Sequence, residues 1–224
     1  MPISNRDLCD RVYEESLGDV PRFERRWVKA VFDGYAETET RNADLFLPEE
    51  IHYSGGVVRR GVLEKRLAEA LPALGGHRLP SYTTVGCQNS ETSHYSVYRI
   101  GLLDITVSAV GERDGKPRRA LLRQARLEST QIALGFLQAE PLDRDAQISL
   151  LFKHGKDRID SSIPQFATFE VRSPDGYVVW KRDLLRAQRR YVEDLLDVQA
   201  ESVPDDEGIP RLRRHLRRFD QGTA

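Results

Sequence analysis

The clearest alternation of apolar and polar positions lies between residues 102 and 128. Read with a period of two, Leu103, Ile105, Val107 and Ala109 share one face, and Leu102, Asp104, Thr106 and Ser108 share the other. This predicts a strand over 102–110. A second strand is predicted over 119–128, with Leu122, Gln124, Arg126 and Glu128 on a common face. Glu112-Arg113-Asp114-Gly115-Lys116 supplies turn chemistry between them. Further strands are expected over 94–100, 165–172 and 177–180, the last two joined by Ser173-Pro174-Asp175-Gly176.

Helical spacing dominates both ends of the chain. Ser4 or Asn5 can cap a helix over 6–17, with Leu8, Val12 and Tyr13 on one side and Gly18 as its stop. Pro21 suits the start of a second helix, whose stripe is Phe23, Trp27, Val28, Val31 and Phe32, with Gly34 expected to end it. Residues 40–52 fit neither period. A third helix over 62–74 places Leu63, Leu67, Ala70, Leu71 and Leu74 together before Gly75-Gly76. Residues 146–152, carrying Gln147, read as a short helix or the start of one. A long helix is expected over 181–199, and a last helix or tail over 210–219. Helices, then strands, then helices predict an α/β or α+β core with helical flanks, of which an α/β fold with a mixed central sheet flanked by helices is the expectation carried forward. The expected organisation is a helical region over 1–58, an α/β core over 59–200 and an Arg-rich helix or tail over 201–224.

Composition adds limits to this picture. With 39% hydrophobic and 31% charged residues, the 224-residue chain reads as soluble with a well-solvated surface. Basic and acidic residues nearly cancel, 34 against 35, so net charge gives no argument for nucleic acid. The basic residues are 28 Arg and only 6 Lys. A coding bias explains that, and so does a preference for a side chain that grips phosphate bidentately. Cys9 and Cys87 are too few for a zinc motif or a disulfide framework. No apolar run approaches the length of a membrane span, and the N-terminus lacks a signal-peptide core. A cytoplasmic protein without a membrane partner is expected. The clearest cationic patch is C-terminal, where Arg211, Arg214 and Arg218 line one side of a helix. It reads as a nucleic-acid contact, a docking helix or a solvated face.

The polar faces of the two central strands carry the candidate chemistry. A carboxylate on one strand beside an amide and a cation on the next is the residue set of a metal-dependent phosphodiesterase site. Asp104 would ligate Mg²⁺, Gln124 would supply an oxygen or orient a water, and Arg126 would face the phosphate. The same residues read equally as a cross-strand ion pair between Asp104 and Arg126. The five histidines occur singly. Residues 153–158 form a basic segment that reads as a solvated loop or a phosphate contact. Gly55-Gly56 through Gly61 lacks the Walker pattern and is a weak phosphate-loop candidate.

Gly101-Leu-Leu-Asp104-Ile-Thr-Val, a turn, then Ala120-Leu-Leu-Arg-Gln124-Ala-Arg126-Leu resembles the restriction-endonuclease-like PD-(D/E)XK superfamily. The likeness is to its Mrr-like branch, where the motif is Asp followed by Gln-x-Lys on the next strand. It implies a restriction-endonuclease-like core with helical extensions, Mg²⁺ as cofactor, and an endonuclease acting on nucleic acid, DNA ahead of RNA. Restriction or phage defence is the implied setting, with protein partners or a second copy of the chain. It also implies a Glu on the first core helix near the metal, for which Glu69 and Glu64 are the candidates. The departure is Arg126 in the Lys position. A guanidinium keeps its proton at working pH and cannot act as a base toward water. That leaves an altered nuclease, a weakened one, or an inactive fold used for binding or assembly.

Overall fold

The computed structural model describes residues 4–79, 82–83, 94–111, 113, 115, 147–173 and 175–188. The chain divides into two units, Met1–Leu184 and Leu185–Ala224. Apart from residues 185–188, everything below belongs to the first. The predicted strand over 119–128 and the Arg-rich segment lie outside the described residues, and with them Gln124, Arg126, Arg211, Arg214 and Arg218. The helix expected over 181–199 starts only at Leu184, because a strand runs through Asp183, and beyond residue 188 it too lies outside.

Three helices open the first unit: α1 (Asn5–Leu17), α2 (Val20–Leu45) and α3 (Pro48–Ala70), followed by a 3-10 turn, Pro72–Leu74. The Ser4 hydroxyl accepts from the Asp7 amide and starts α1 as its sequence predicts, and Gly18 ends it. Asp19 caps α2 through the Arg22 amide. Gly34, expected to end α2, instead lies in its interior. A Cβ there would stand 3.2 Å from Leu63 Cδ1 and 3.3 Å from Leu63 Cα, so glycine lets α2 and α3 approach closely. Contact between helices outweighs a propensity penalty of about 1 kcal/mol. The third helix likewise begins fourteen positions before the predicted Val62, at Pro48. Gly55, Gly56 and Gly61 are helical, which removes that segment as a phosphate loop. α3 passes without a break through residues 58 and 59.

The strands are β1 (His77–Arg78), β2 (Tyr82–Thr83), β3 (His94–Tyr95), β4 (Val97–Ile100), β5 (Leu103–Ala109), β6 (Ile148–Lys156), β7 (Pro164–Arg172) and β8 (Val178–Asp183). A mixed six-stranded sheet has the order β1-β4-β5-β6-β7-β8, and β2 pairs with β3 separately. Within the six-stranded sheet only β5 and β6 run parallel. The protein is therefore α/β, with a mixed sheet as expected. Residues 146–152 had been expected to start a helix, but β6 begins at Ile148. Its apolar run, Ile148 to Phe152, is what a strand buried on both faces requires. Lys153 to Lys156 belong to the same strand, so the basic segment is no solvated loop; Lys153 and His154 are buried.

The pleat separates two unlike faces. One takes Tyr98, Ile105, Phe152, Phe169 and Trp180 against the helices. Trp27 of α2 packs against Tyr98, Phe152 and Phe169 at ring-centroid distances of 6.1, 5.6 and 5.5 Å. Phe23 and Tyr13 extend this aromatic core toward Trp180. Polar bonds pin its edge: the Trp180 indole donates to Asp10, and Glu24 accepts from Tyr13 and Arg182. The other face is polar and is described below.

The β4–β5 turn shows how tightly the layers meet. Gly101 sits at φ +53°, and a Cβ there would lie 2.9 Å from both Cα and Cβ of Ser16 on α1. The Ser16 hydroxyl accepts from the next amide, Leu102. Gly101→Ala is expected to cost roughly 1–3 kcal/mol, combining an unfavourable left-handed backbone with a backbone clash. Urea midpoints measure this, and an unchanged midpoint would mean that the turn relaxes away from α1.

Candidate active site on the polar face of the sheet

Asp104 lies on β5 as the alternation predicts, with Thr106 and Ser108 on the same face. The sheet register extends this into three rows. Asp104 stands between Arg99 on β4 and Ser149 on β6. Thr106 is level with Leu151, Glu170 and Lys181, and Ser108 is level with Lys153, Thr168 and Asp183. A sheet surface this polar is ordinarily solvated, yet Asp104, Thr106, Ser108, Ser149, Lys153, Thr168 and Glu170 are all buried.

Two ion-pair groups account for most of these charges. Arg99 grips Asp104 as a fork: Nε donates to Oδ1 at 2.7 Å and Nη2 to Oδ2 at 3.0 Å, with Asp104 only 2% exposed. Farther across the sheet, Glu170 accepts from Lys153 at 3.1 Å and from Arg172 at 2.6 and 2.9 Å, with Lys181 at 3.9 Å. Lys153 also donates to the carbonyl of Arg113, whose guanidinium reaches Asp183. The chain just beyond β5 is thus fastened across β6 and β7 to β8. Thr106 Oγ1 and Thr168 Oγ1 are buried on this face without a hydrogen-bond partner among the described residues.

No family model, curated protein or solved structure matches this chain.

The predicted metal pair is not brought together. Glu64 of α3 accepts from Ser96, and its carbonyl accepts from the Tyr98 hydroxyl on the aromatic side of the sheet. Glu69, one turn farther along α3, is exposed and paired with Lys65 and Arg66. Asp104 points to the opposite side. Among the described residues no three His, Cys, Asp or Glu gather as metal ligands. With Asp104 held by a fork and Glu69 beyond the sheet, the described residues do not fit a Mg²⁺ site.

The sequence anticipated an ion pair at Asp104; its expected partner Arg126 lies outside the described residues, and Arg99 was not foreseen. The signal was present. A two-residue connection at Gly101-Leu102 places residues 100 and 103 opposite each other, and therefore 99 opposite 104. Lys153 was read only as part of the basic segment 153–158, and Glu170 was not singled out, because nothing in the sequence marks a charge that strand pairing will bury.

Beyond the polar face, His154 on the aromatic face is buried, and its Nδ1 is 2.7 Å from the Tyr35 hydroxyl of α2. Burial, helped by the nearby Arg59 charge, lowers its pKa to about 3, so the imidazole is neutral. Cys9 is a buried thiol pushed up to about 12 by burial, which leaves it unreactive as a nucleophile. No helix among the described residues is long and apolar enough to cross a membrane.

Proposed function

We propose that the chain is a nucleic-acid-binding subunit with a nuclease-like sheet, in which Asp104 serves an ion pair rather than a metal. The observation that carries this reading is the two-pronged grip of Arg99 on a carboxylate almost excluded from water. A cation arriving at Asp104 would have to displace that guanidinium, and no second carboxylate waits beside it among the described residues. Arg126, in the position where the resemblance calls for Lys, supports the same conclusion, because it cannot take a proton from water. The excess of Arg over Lys and the Arg211, Arg214 and Arg218 series support contact with a phosphate backbone. The proposed setting is a restriction or phage-defence assembly in the cytoplasm, with DNA as ligand and other protein chains as partners.

The full-length protein is incubated with duplex and single-stranded DNA plus Mg²⁺ or Mn²⁺, beside Asp104→Ala, and binding is followed by fluorescence anisotropy. Binding at low salt that weakens steeply as salt rises is expected, with no cleavage that depends on Asp104. Metal-dependent cleavage lost in Asp104→Ala, or the absence of binding to either substrate at low salt, would overturn the reading.

A further inference from the structure

β5 and β6 are the parallel pair, and in open α/β sheets ligands bind beyond the carboxyl ends of such strands. A cleft of about 370 Å³ lies there. Tyr35, Arg59, Ala109, Val110, Gly111, Gly115, Gly155 and Lys156 line it. It begins five residues along β5 from Asp104, roughly 17 Å at the rise of a strand, and is a separate site.

Its charges are arranged for an anion. Arg59 of α3 packs its guanidinium over the Tyr35 ring, 5.3 Å from the centroid, and the Tyr35 hydroxyl is fixed in turn by His154. Only 14% of the Arg59 side chain is exposed, and Nη2 donates to Glu39 at 3.1 Å. Nε is buried with no partner among the described residues, and no bond from Nη1 to a described residue is formed. With Nε shielded and Nη2 held by Glu39, the outer end of this fixed guanidinium, Nη1 above all, is left to meet an oxyanion. Lys156, exposed at the end of β6, adds a second cation with no carboxylate partner among the described residues. With Glu39 neutralising one of the two, the described lining residues keep a net positive charge. At Gly111 nothing stands within 4 Å of where a Cβ would lie, so the backbone there can approach a ligand closely. The volume suits a small molecule of nucleotide size.

We infer that this cleft binds a phosphate monoester, with Arg59 and Lys156 holding the phosphate. The site does not rest on the reading of Asp104. Isothermal titration of the full-length protein with inorganic phosphate, a nucleoside 5′-monophosphate and the matching nucleoside tests it. The phosphate-bearing probes are expected to bind, and the nucleoside to bind at least about tenfold more weakly than its monophosphate. Arg59→Lys, which keeps the charge and removes the fork, should weaken the monophosphate about tenfold, and Lys156→Ala severalfold. Lys156 is exposed, so its variant remains informative if Arg59→Lys folds poorly. Equal affinity for nucleoside and monophosphate, no binding of either phosphate probe at millimolar concentration, or an unchanged affinity in Lys156→Ala would overturn the site.

Discussion

Glu170→Leu is expected to lower the stability of the first unit by roughly 3–5 kcal/mol, the range for removing one partner of a buried ion pair. Glu170 and Lys153 are each 1% exposed and meet at 3.1 Å, and Arg172 forks onto the same carboxylate. Without Glu170, Lys153 keeps only the Arg113 carbonyl, a neutral acceptor, while Arg172 and Lys181 add like charge nearby. Lys153→Met should cost less, because Arg172 still satisfies Glu170. The double variant should lose less than the sum of the two, since it leaves no unpaired Lys153. For a unit of this size each kcal/mol moves the melting temperature by roughly 2–4 °C, so Glu170→Leu should melt on the order of 10 °C lower. Calorimetry on the three variants decides the matter. Equal, additive losses would mean that the four charges act independently.

Acid should destabilise the protein through His154. Its pKa is about 3 in the folded state and near 6.5 in an unfolded chain. Between those values the unfolded chain binds a proton that the folded protein refuses, so stability falls by about 1.4 kcal/mol for each pH unit below 6.5. Above 6.5 both states are neutral and the term is flat. The wild type should therefore lose about 2 kcal/mol between pH 7.5 and 5.0 from this residue alone. His154→Gln keeps a polar group near the Tyr35 hydroxyl and removes the titration. Urea midpoints at both pH values, compared between the two proteins, isolate the effect, because the carboxylates contribute alike to each. Identical pH slopes would show that His154 can be protonated without unfolding.

The sequence made the arrangement of helices and strands legible where periodicity was strong. Ser4, Gly18 and the alternation from Leu103 to Ala109 mark their elements correctly. It failed where packing overrules local preference. Gly34 and Gly55 look like breakers, yet the contact of each with the opposite helix is what a side chain would obstruct. β6 failed for another reason: an apolar run without alternation carries no period to read, and only its pairing with β5 and β7 makes it a strand. At the candidate site, the face on which Asp104 lies was legible, and its pairing with Arg99 was not. Arg99 is recognised only once the two strands are joined through Gly101-Leu102 and counted against each other. Arg59 and Lys156 each lay in a segment weighed as a phosphate contact, but the cleft that joins them with Tyr35 was not legible, because the three come from elements whose proximity is purely tertiary.

The parallel seam between β5 and β6 has a consequence for the order of assembly. β4 with β5, and β6 with β7 and β8, are antiparallel neighbours close in sequence, each closed by a short connection. Leu103 meets Ile148 only after the whole intervening chain has been looped back, and the entropy of closing that loop falls on one strand pair. The Tyr35–His154 bond and the Arg113 fastening both span the same divide. The sheet is thus two local ribbons, and the search that joins them is the step expected to limit folding.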